Sequence, residues 1–162
     1  NFNIIDSALS TLLDIMVDKR LISTKLIDNK QQIRQIVDTL WSFLAPQYEI
    51  LHLRTVQLIW KLKDISNANH VEAVISEYLI HKDAATRVSN YERFGLFWDL
   101  SKDFDSNDIS FTQPMFLMLD TLRDENPTNK RAGETWMRYN HKAYYRILQP
   151  MIAIFCDSSC VA

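Results

Sequence analysis

The chain has 162 residues, of which 47% are hydrophobic and 23% charged, with a formal net charge of -2. That length supports a domain with a sizeable core, and the composition excludes a disordered chain. The charge balance lacks the strong basic excess of a nucleic-acid binder, and no run of about eighteen apolar residues is present to span a membrane.

Glycine is the informative residue type. There are only two, Gly95 and Gly133, alongside four prolines. Sheets of this size need many tight turns, which use glycine to reach positive φ, so the chain reads as all-α. No signal peptide is visible, and Cys156 and Cys160 do not make a disulfide framework. The expected compartment is therefore cytoplasmic. The chain opens on Asn-Phe-Asn-Ile-Ile without a methionine and with apolar periodicity already running, which reads as a piece of something longer.

Ile4, Ile5, Leu9, Leu12, Leu13 and Met16 recur at three and four, predicting a first helix with one buried stripe. Lys19 and Arg20 suit the negative end of its dipole. Leu21, Ile22, Leu26 and Ile27 fall in the connection that follows. Asp28 is the expected N-cap of the second helix, with Gln31 or Gln32 at capping-box distance. Its stripe is Ile33, Ile36, Val37, Leu40, Trp41 and Leu44. Pro46 ends that run, and Ile50, Leu51, Leu53, Val56, Ile59, Trp60 and Leu62 predict a third helix that is apolar on more than one side.

A shorter helix over 70–80 turns Val71, Val74, Ile75, Tyr78 and Leu79 inward. The next begins near Asp83 and carries Ala85, Val88, Tyr91, Phe94, Leu96, Phe97 and Leu100 to about Lys102. After a polar loop over 103–110, Ser110 or Thr112 is the expected cap of a sixth helix with Pro114 in its first turn. Asp124-Glu125-Asn126-Pro127 breaks the pattern, and Ala132, Trp136 and Tyr139 imply a short helix. The last helix includes Tyr144, Tyr145, Ile147, Leu148, Met151, Ile152 and Phe155, with Pro150 inside it predicting a kink or a break.

Seven or eight helices with short connections suit antiparallel hairpins stacked as a HEAT- or armadillo-like α-solenoid segment. A closed helical bundle is the alternative. The chain reads as one helical unit over 1–162, divisible into halves at 81/82. The segments 28–63 and 112–156 each read as a hairpin.

Patterns that would carry chemistry fail at named positions. Glu49-x-x-His52 is half of a di-iron helix pattern, but the second copy and the further glutamates are missing. Glu77 and His81 at i,i+4 read as helix support. Asp103, Asp105 and Asn107 copy the start of a calcium loop, but Asp108 stands where glycine is needed and Pro114 where a bidentate glutamate is needed. Cys156 continues an apolar helix and reads as inert, and Cys160 falls near a frayed end, so neither reads as a catalytic thiol. No metal, cofactor or catalytic residue is expected.

Charge is unevenly distributed. Asp99, Asp103, Asp105, Asp108, Asp120, Asp124 and Glu125 outnumber Lys102 and Arg123 over 99–125. The sign then reverses, with Lys130, Arg131, Arg138, Lys142 and Arg146 against Glu134. This basic stretch either attracts its acidic neighbour within the fold or forms a face for an acidic partner or an anionic membrane. Adjacent aromatics give a second candidate surface. Trp98 follows Phe97, and Tyr145 follows Tyr144, so one member of each pair faces a second layer, a neighbouring repeat or a partner.

The run Arg93-Phe94-Gly95-Leu96-Phe97-Trp98-Asp99-Leu100-Ser101-Lys102-Asp103 is followed by Ser110-Phe111 and by Pro114-Met115-Phe116-Leu117-Met118-Leu119-Asp120-Thr121-Leu122. Trp136 and Arg146-Ile147-Leu148-Gln149-Pro150 come next. This block, over about 88–155, resembles the C-terminal helical region of the Dopey family. The loop over 124–131 does not match that pattern. The resemblance implies a large cytosolic scaffold acting at Golgi and endosome membranes, with a Mon2-type partner and with phosphoinositide and kinesin light-chain contacts. It carries over no catalytic residue. Arg93, Phe94, Trp98, Asp120 and Trp136 match its pattern, and Arg93 is placed to pair with Asp120 between helices. The expected function is a non-enzymatic scaffold that binds proteins. The alternatives are an all-α enzyme or ligand-binding bundle, which needs a pocket near His52 or near His141, and a membrane-binding basic face.

Overall fold

A computed structural model describes residues 2–17, 29–66, 69–104, 110–139 and 144–157. Lys19, Arg20, the 21–27 connection, Asp28, Asp105, Asn107, Asp108, His141, Lys142 and Cys160 lie outside the described residues. Eight α-helices are described: α1 (Phe2–Val17), α2 (Lys30–Ser42), α3 (His52–Ile65), α4 (His70–Leu79), α5 (Ala84–Leu100), α6 (Thr112–Asp120), α7 (Pro127–Tyr139) and α8 (Tyr145–Cys156). Short 3-10 turns over Pro46–Leu51 and Thr121–Arg123 lead into α3 and out of α6. No strand occurs among the described residues, and none of these helices is long and apolar enough to cross a membrane.

Local chemistry sets three of the eight described helix starts. Asn29, one residue later than expected, caps α2 by accepting from the amides of Gln31 at 3.1 Å and Gln32 at 3.2 Å. Asp83 caps α5 as its position predicts, accepting from the Thr86 amide at 2.7 Å. That cap holds its carboxyl below the usual range, chiefly through the Thr86 side-chain and backbone hydrogen bonds. Pro127 opens α7 rather than merely ending the preceding helix, because a proline in the first turn gives up no helical hydrogen bond. The Asp124 side chain accepts from the Asn126 amide at 2.8 Å and the Asn126 side chain from the Thr128 amide at 2.9 Å, which shapes that entry. The last helix runs through Pro150 without a break.

The start of α6 departs from the reading above. Neither Ser110 nor Thr112 caps it. Phe111 occupies the N-cap position in the left-handed region, at φ 57° and ψ 34°, and its amide donates to the buried Glu72 carboxylate of α4.

The helices stack as antiparallel hairpins, the arrangement of a HEAT- or armadillo-like solenoid segment. The third helix packs on α1 and α2, α4 packs on α2 and α6, and α7 packs on α5 and on the Thr121–Arg123 turn. One hydrophobic cluster extends from Leu9 of α1 to Ile147 of α8. At its centre α5 faces two layers. Phe97 meets Trp41, Trp60 and Phe111, with ring centroids 4.8–6.4 Å apart. Trp98 meets Phe94 and Trp136 at 5.8 and 5.9 Å. Burying a ring such as Phe97 stabilises by about 3–5 kcal/mol relative to alanine. The expected second layer for the Phe97–Trp98 pair is therefore internal, built from α7 and α8.

The outermost helices are less covered. Leu9 of α1 is buried, but Ile4, Leu12 and Ile15 are exposed, so the stripe of α1 is only partly used. Leu148, Ile152, Ile154 and Phe155 of α8 are exposed as well.

Candidate functional site

The first helix lies beside α2, and an apolar groove of about 640 Å³ opens between them. Ile4, Ile5 and Leu12 line one wall and Ile36, Leu40 and Phe43 the other, with Gln32, Gln35 and Thr39 supplying uncharged polar atoms. Each wall repeats at three and four residues because each is a helix face. The groove spans about two to three helical turns, roughly 12–16 Å. The α1 periodicity pointed to this face, but it did not reveal that no described residue covers part of it.

The expected surface residues divide. Trp98 is 1% exposed and Arg146 5%. Both are internal, which corrects the reading of them as interaction residues: Arg146 lies over the Trp98 ring, its guanidinium 4.0 Å from the ring centroid. Lys130, Arg131 and Arg138 are exposed on α7. Phe94 is fully buried and Trp136 nearly so, and their ring centroids lie 6.3 Å apart. Asp120 is exposed, and it forms no ion pair with Arg93 among the described residues. Tyr144 and Tyr145 are both exposed, so neither turns into a second layer.

The histidine patterns serve structure. His52 is buried, and its Nε2 lies 3.0 Å from the Ala45 carbonyl oxygen. A carbonyl only accepts, so this nitrogen carries the proton and donates. A small hollow of about 290 Å³ does open beside His52, lined also by Glu49, Glu92 and Arg93. His52 spends that donor on the Ala45 carbonyl. Glu77 does not pair with His81 as expected. It takes Arg34 of α2 at 2.6 Å, which raises the guanidinium pKa through that hydrogen bond and charge. His81 accepts at Nδ1 from the Asp83 amide at 3.1 Å. Among the described residues, no group of three or more His, Cys, Asp and Glu side chains is placed to hold a metal ion. Cys156 ends α8 as an exposed free thiol.

A polar seam ties α2, α4 and α5 together. Trp41 donates from its indole nitrogen to Asn90 at 3.0 Å, and the Asn90 amide donates to the Tyr78 carbonyl at 3.0 Å. The Tyr78 hydroxyl donates to Asp38. Burial first, and then that hydrogen bond, push the Tyr78 hydroxyl well above its usual pKa. These partners hold the stack in register, and among the described residues they leave the apolar groove as an unfilled face on the α1 side.

The family described as DOP1B-like, TPR repeats, matches residues 22–143. Protein DOP1B of Xenopus laevis is 28% identical over 120 residues, covering 70% of this chain and 5% of that protein. Protein DOP1B of Mus musculus is 27% identical over 139 residues, covering 80% of this chain and 6% of that protein. The chain thus spans about a twentieth of the length of these relatives. The match reaches further toward the N-terminus than the 88–155 block that carries the Dopey resemblance. No solved structure matches the chain. Stacked repeat hairpins present extended surfaces, and the chain is a helical scaffold segment of that repeat type.

Proposed function

Because this chain belongs to the DOP1B-like TPR-repeat family, we propose that it is a protein-docking segment of a long helical scaffold that serves Golgi and endosome membrane traffic. The observation that carries the docking part is the α1/α2 groove. Its ligand is an amphipathic helix that lays apolar residues at i, i+3 or i+4, and i+7 between Ile4 and Leu12 on one side and Ile36 and Phe43 on the other. The uncharged rim of Gln32, Gln35 and Thr39 favours an apolar stripe with neutral polar flanks over a strongly charged segment. Membership of the family supports the traffic part, together with a Mon2-type partner as the protein to try first and a cytoplasmic location.

The test uses the whole chain and a purified Mon2-type partner in a direct binding titration. Ile4 and Leu12 are 67% and 47% exposed, so the double change Ile4→Glu and Leu12→Glu leaves the fold, read by circular dichroism, unchanged. We expect binding by the unaltered chain and a loss of about tenfold or more in the double variant, since burying a charge in an apolar groove is unfavourable. Equal binding by both proteins, or none by either, removes the reading.

A further inference from the structure

We propose that Arg93 receives the carboxylate of an acidic side chain from a partner peptide, while Glu49 and Glu92 take up a basic residue of the same peptide. The site lies apart from the α1/α2 groove and rests on the scaffold reading only in that its ligand is a protein segment.

Arg93 stands on α5 between two hollows. One, of about 290 Å³, is lined by Leu44, Pro46, Glu49, His52, Glu92 and Leu96 among others. The other, of about 460 Å³, lies toward Arg34, Tyr78 and His81. The other charged side chains of the larger hollow are engaged within the chain. Arg34 holds Glu77, Asp38 accepts from Tyr78, and the His81 ring accepts from the Asp83 amide. Arg93 is not. Its Nε is sealed from solvent with no hydrogen-bond partner, and no carboxylate among the described residues pairs with its guanidinium. In the smaller hollow His52 is committed to the Ala45 carbonyl, and the exposed Glu49 and Glu92 have no partner among the described residues.

A half-buried guanidinium with an unfilled fork fits a planar oxyanion held through two parallel hydrogen bonds. The two glutamates on the same rim decide which oxyanion. They repel the double charge of a phosphate, tolerate a single carboxylate, and attract a neighbouring Lys or Arg. The size decides the rest. A hollow of about 290 Å³ is at the small end for a drug-sized molecule, whose pockets run from about 300 to 1,000 Å³, and suits one or two side chains. Leu44, Pro46 and Leu96 give those side chains an apolar floor.

The test is selection of a random linear peptide library, displayed on phage, against the whole chain. The expected product is a family of peptides that pair an acidic with a nearby basic residue. Synthetic copies should bind Arg93→Gln about tenfold more weakly or worse, the scale of one charge-assisted hydrogen bond. The double change Glu49→Gln and Glu92→Gln should remove the requirement for the basic residue. No enrichment, enriched peptides without an acidic residue, or equal affinity for Arg93→Gln overturns the proposal. Should Arg93→Gln fail to fold by circular dichroism, Arg93→Lys takes its place. It keeps the charge but loses the fork, so several-fold weaker binding is expected and unchanged affinity overturns the assignment. The variant Leu12→Glu separates the two sites. Peptides that it fails to bind sit in the α1/α2 groove, which overturns the Arg93 site and leaves the docking function standing.

Discussion

The guanidinium of Arg146 lies over the indole of Trp98, 4.0 Å from the ring centroid, and donates to the carbonyl oxygen of that same residue at 2.7 Å. A second donor reaches the Ser101 hydroxyl at 3.1 Å. One side chain of α8 thereby holds the C-terminal end of α5, where unpaired carbonyls and the dipole favour a cation. Arg146→Ala should cost about 2–4 kcal/mol, from lost charge-assisted hydrogen bonds and a desolvated cation–π contact. Arg146→Lys should recover little of that loss, because an ammonium cannot stack and fork together. Urea unfolding reads both, and amide exchange in α8 should speed up in the same variants. A wild-type midpoint for Arg146→Ala would show the contact to be idle.

This pair marks the limit of what periodicity reveals. In the sequence Arg146 sits near Lys130, Arg131 and Arg138 and looks like one more surface cation. Its partners are 45 and 48 residues away, so only the docking of α8 on α5 distinguishes it. The same holds for Trp98, whose neighbour Phe97 already fills the obvious face. By contrast, Ile33, Val37, Leu40 and Trp41 were legible and are all buried, because a stripe at three and four describes one helix without reference to any other. A stripe does not say what covers it. That is why Leu12 was expected inside and is exposed, and why the groove beside it was not foreseen.

The two glycines should respond to alanine in opposite directions. Both are helical, where alanine is favoured by about 1 kcal/mol. A Cβ on Gly95 would meet only Trp136 Cδ1 at 3.6 Å, an ordinary contact. Gly95→Ala should therefore stabilise by up to about 1 kcal/mol. A Cβ on Gly133 would overlap Thr121 Oγ1 and fall 3.2 Å from Thr121 Cβ. The threonine is buried and its hydroxyl is held by the Met118 carbonyl at 2.6 Å, so it cannot simply turn away. Overpacking costs about 1–3 kcal/mol, and Gly133→Ala should be net destabilising despite its better helix propensity. Thermal unfolding of the two variants side by side checks the sign of each, and a rise in midpoint for Gly133→Ala would mean that α7 can shift away from the Thr121–Arg123 turn at little cost.

Phe111 holds a left-handed backbone, φ 57°, that costs a residue other than glycine about 1–2 kcal/mol. Two features oppose that cost. Its ring is fully buried, 4.8 Å from Phe97 and 5.1 Å from Trp60 by centroid. Its amide donates to Glu72, so a carboxylate from the first turn of α4 does the work of an N-cap for α6 and also complements the positive end of its dipole. A cap supplied from 39 residues away leaves no trace in the local sequence, which is why Ser110 and Thr112 looked like the candidates. Glu72→Ala removes the acceptor and leaves a buried amide unmatched, at a cost of about 1–3 kcal/mol. Glu72→Gln keeps a carbonyl oxygen at the same reach and should lose less, by about 1 kcal/mol. Phe111→Gly relieves the backbone but empties the ring site, so it should still destabilise, by about 2–4 kcal/mol. Urea unfolding ranks the three, and hydrogen exchange at the amides of Phe111, Thr112, Gln113 and Met115 should quicken most in Glu72→Ala. Equal losses for Glu72→Ala and Glu72→Gln would mean that the bond to the Phe111 amide contributes nothing, and that the start of α6 is held by ring burial alone.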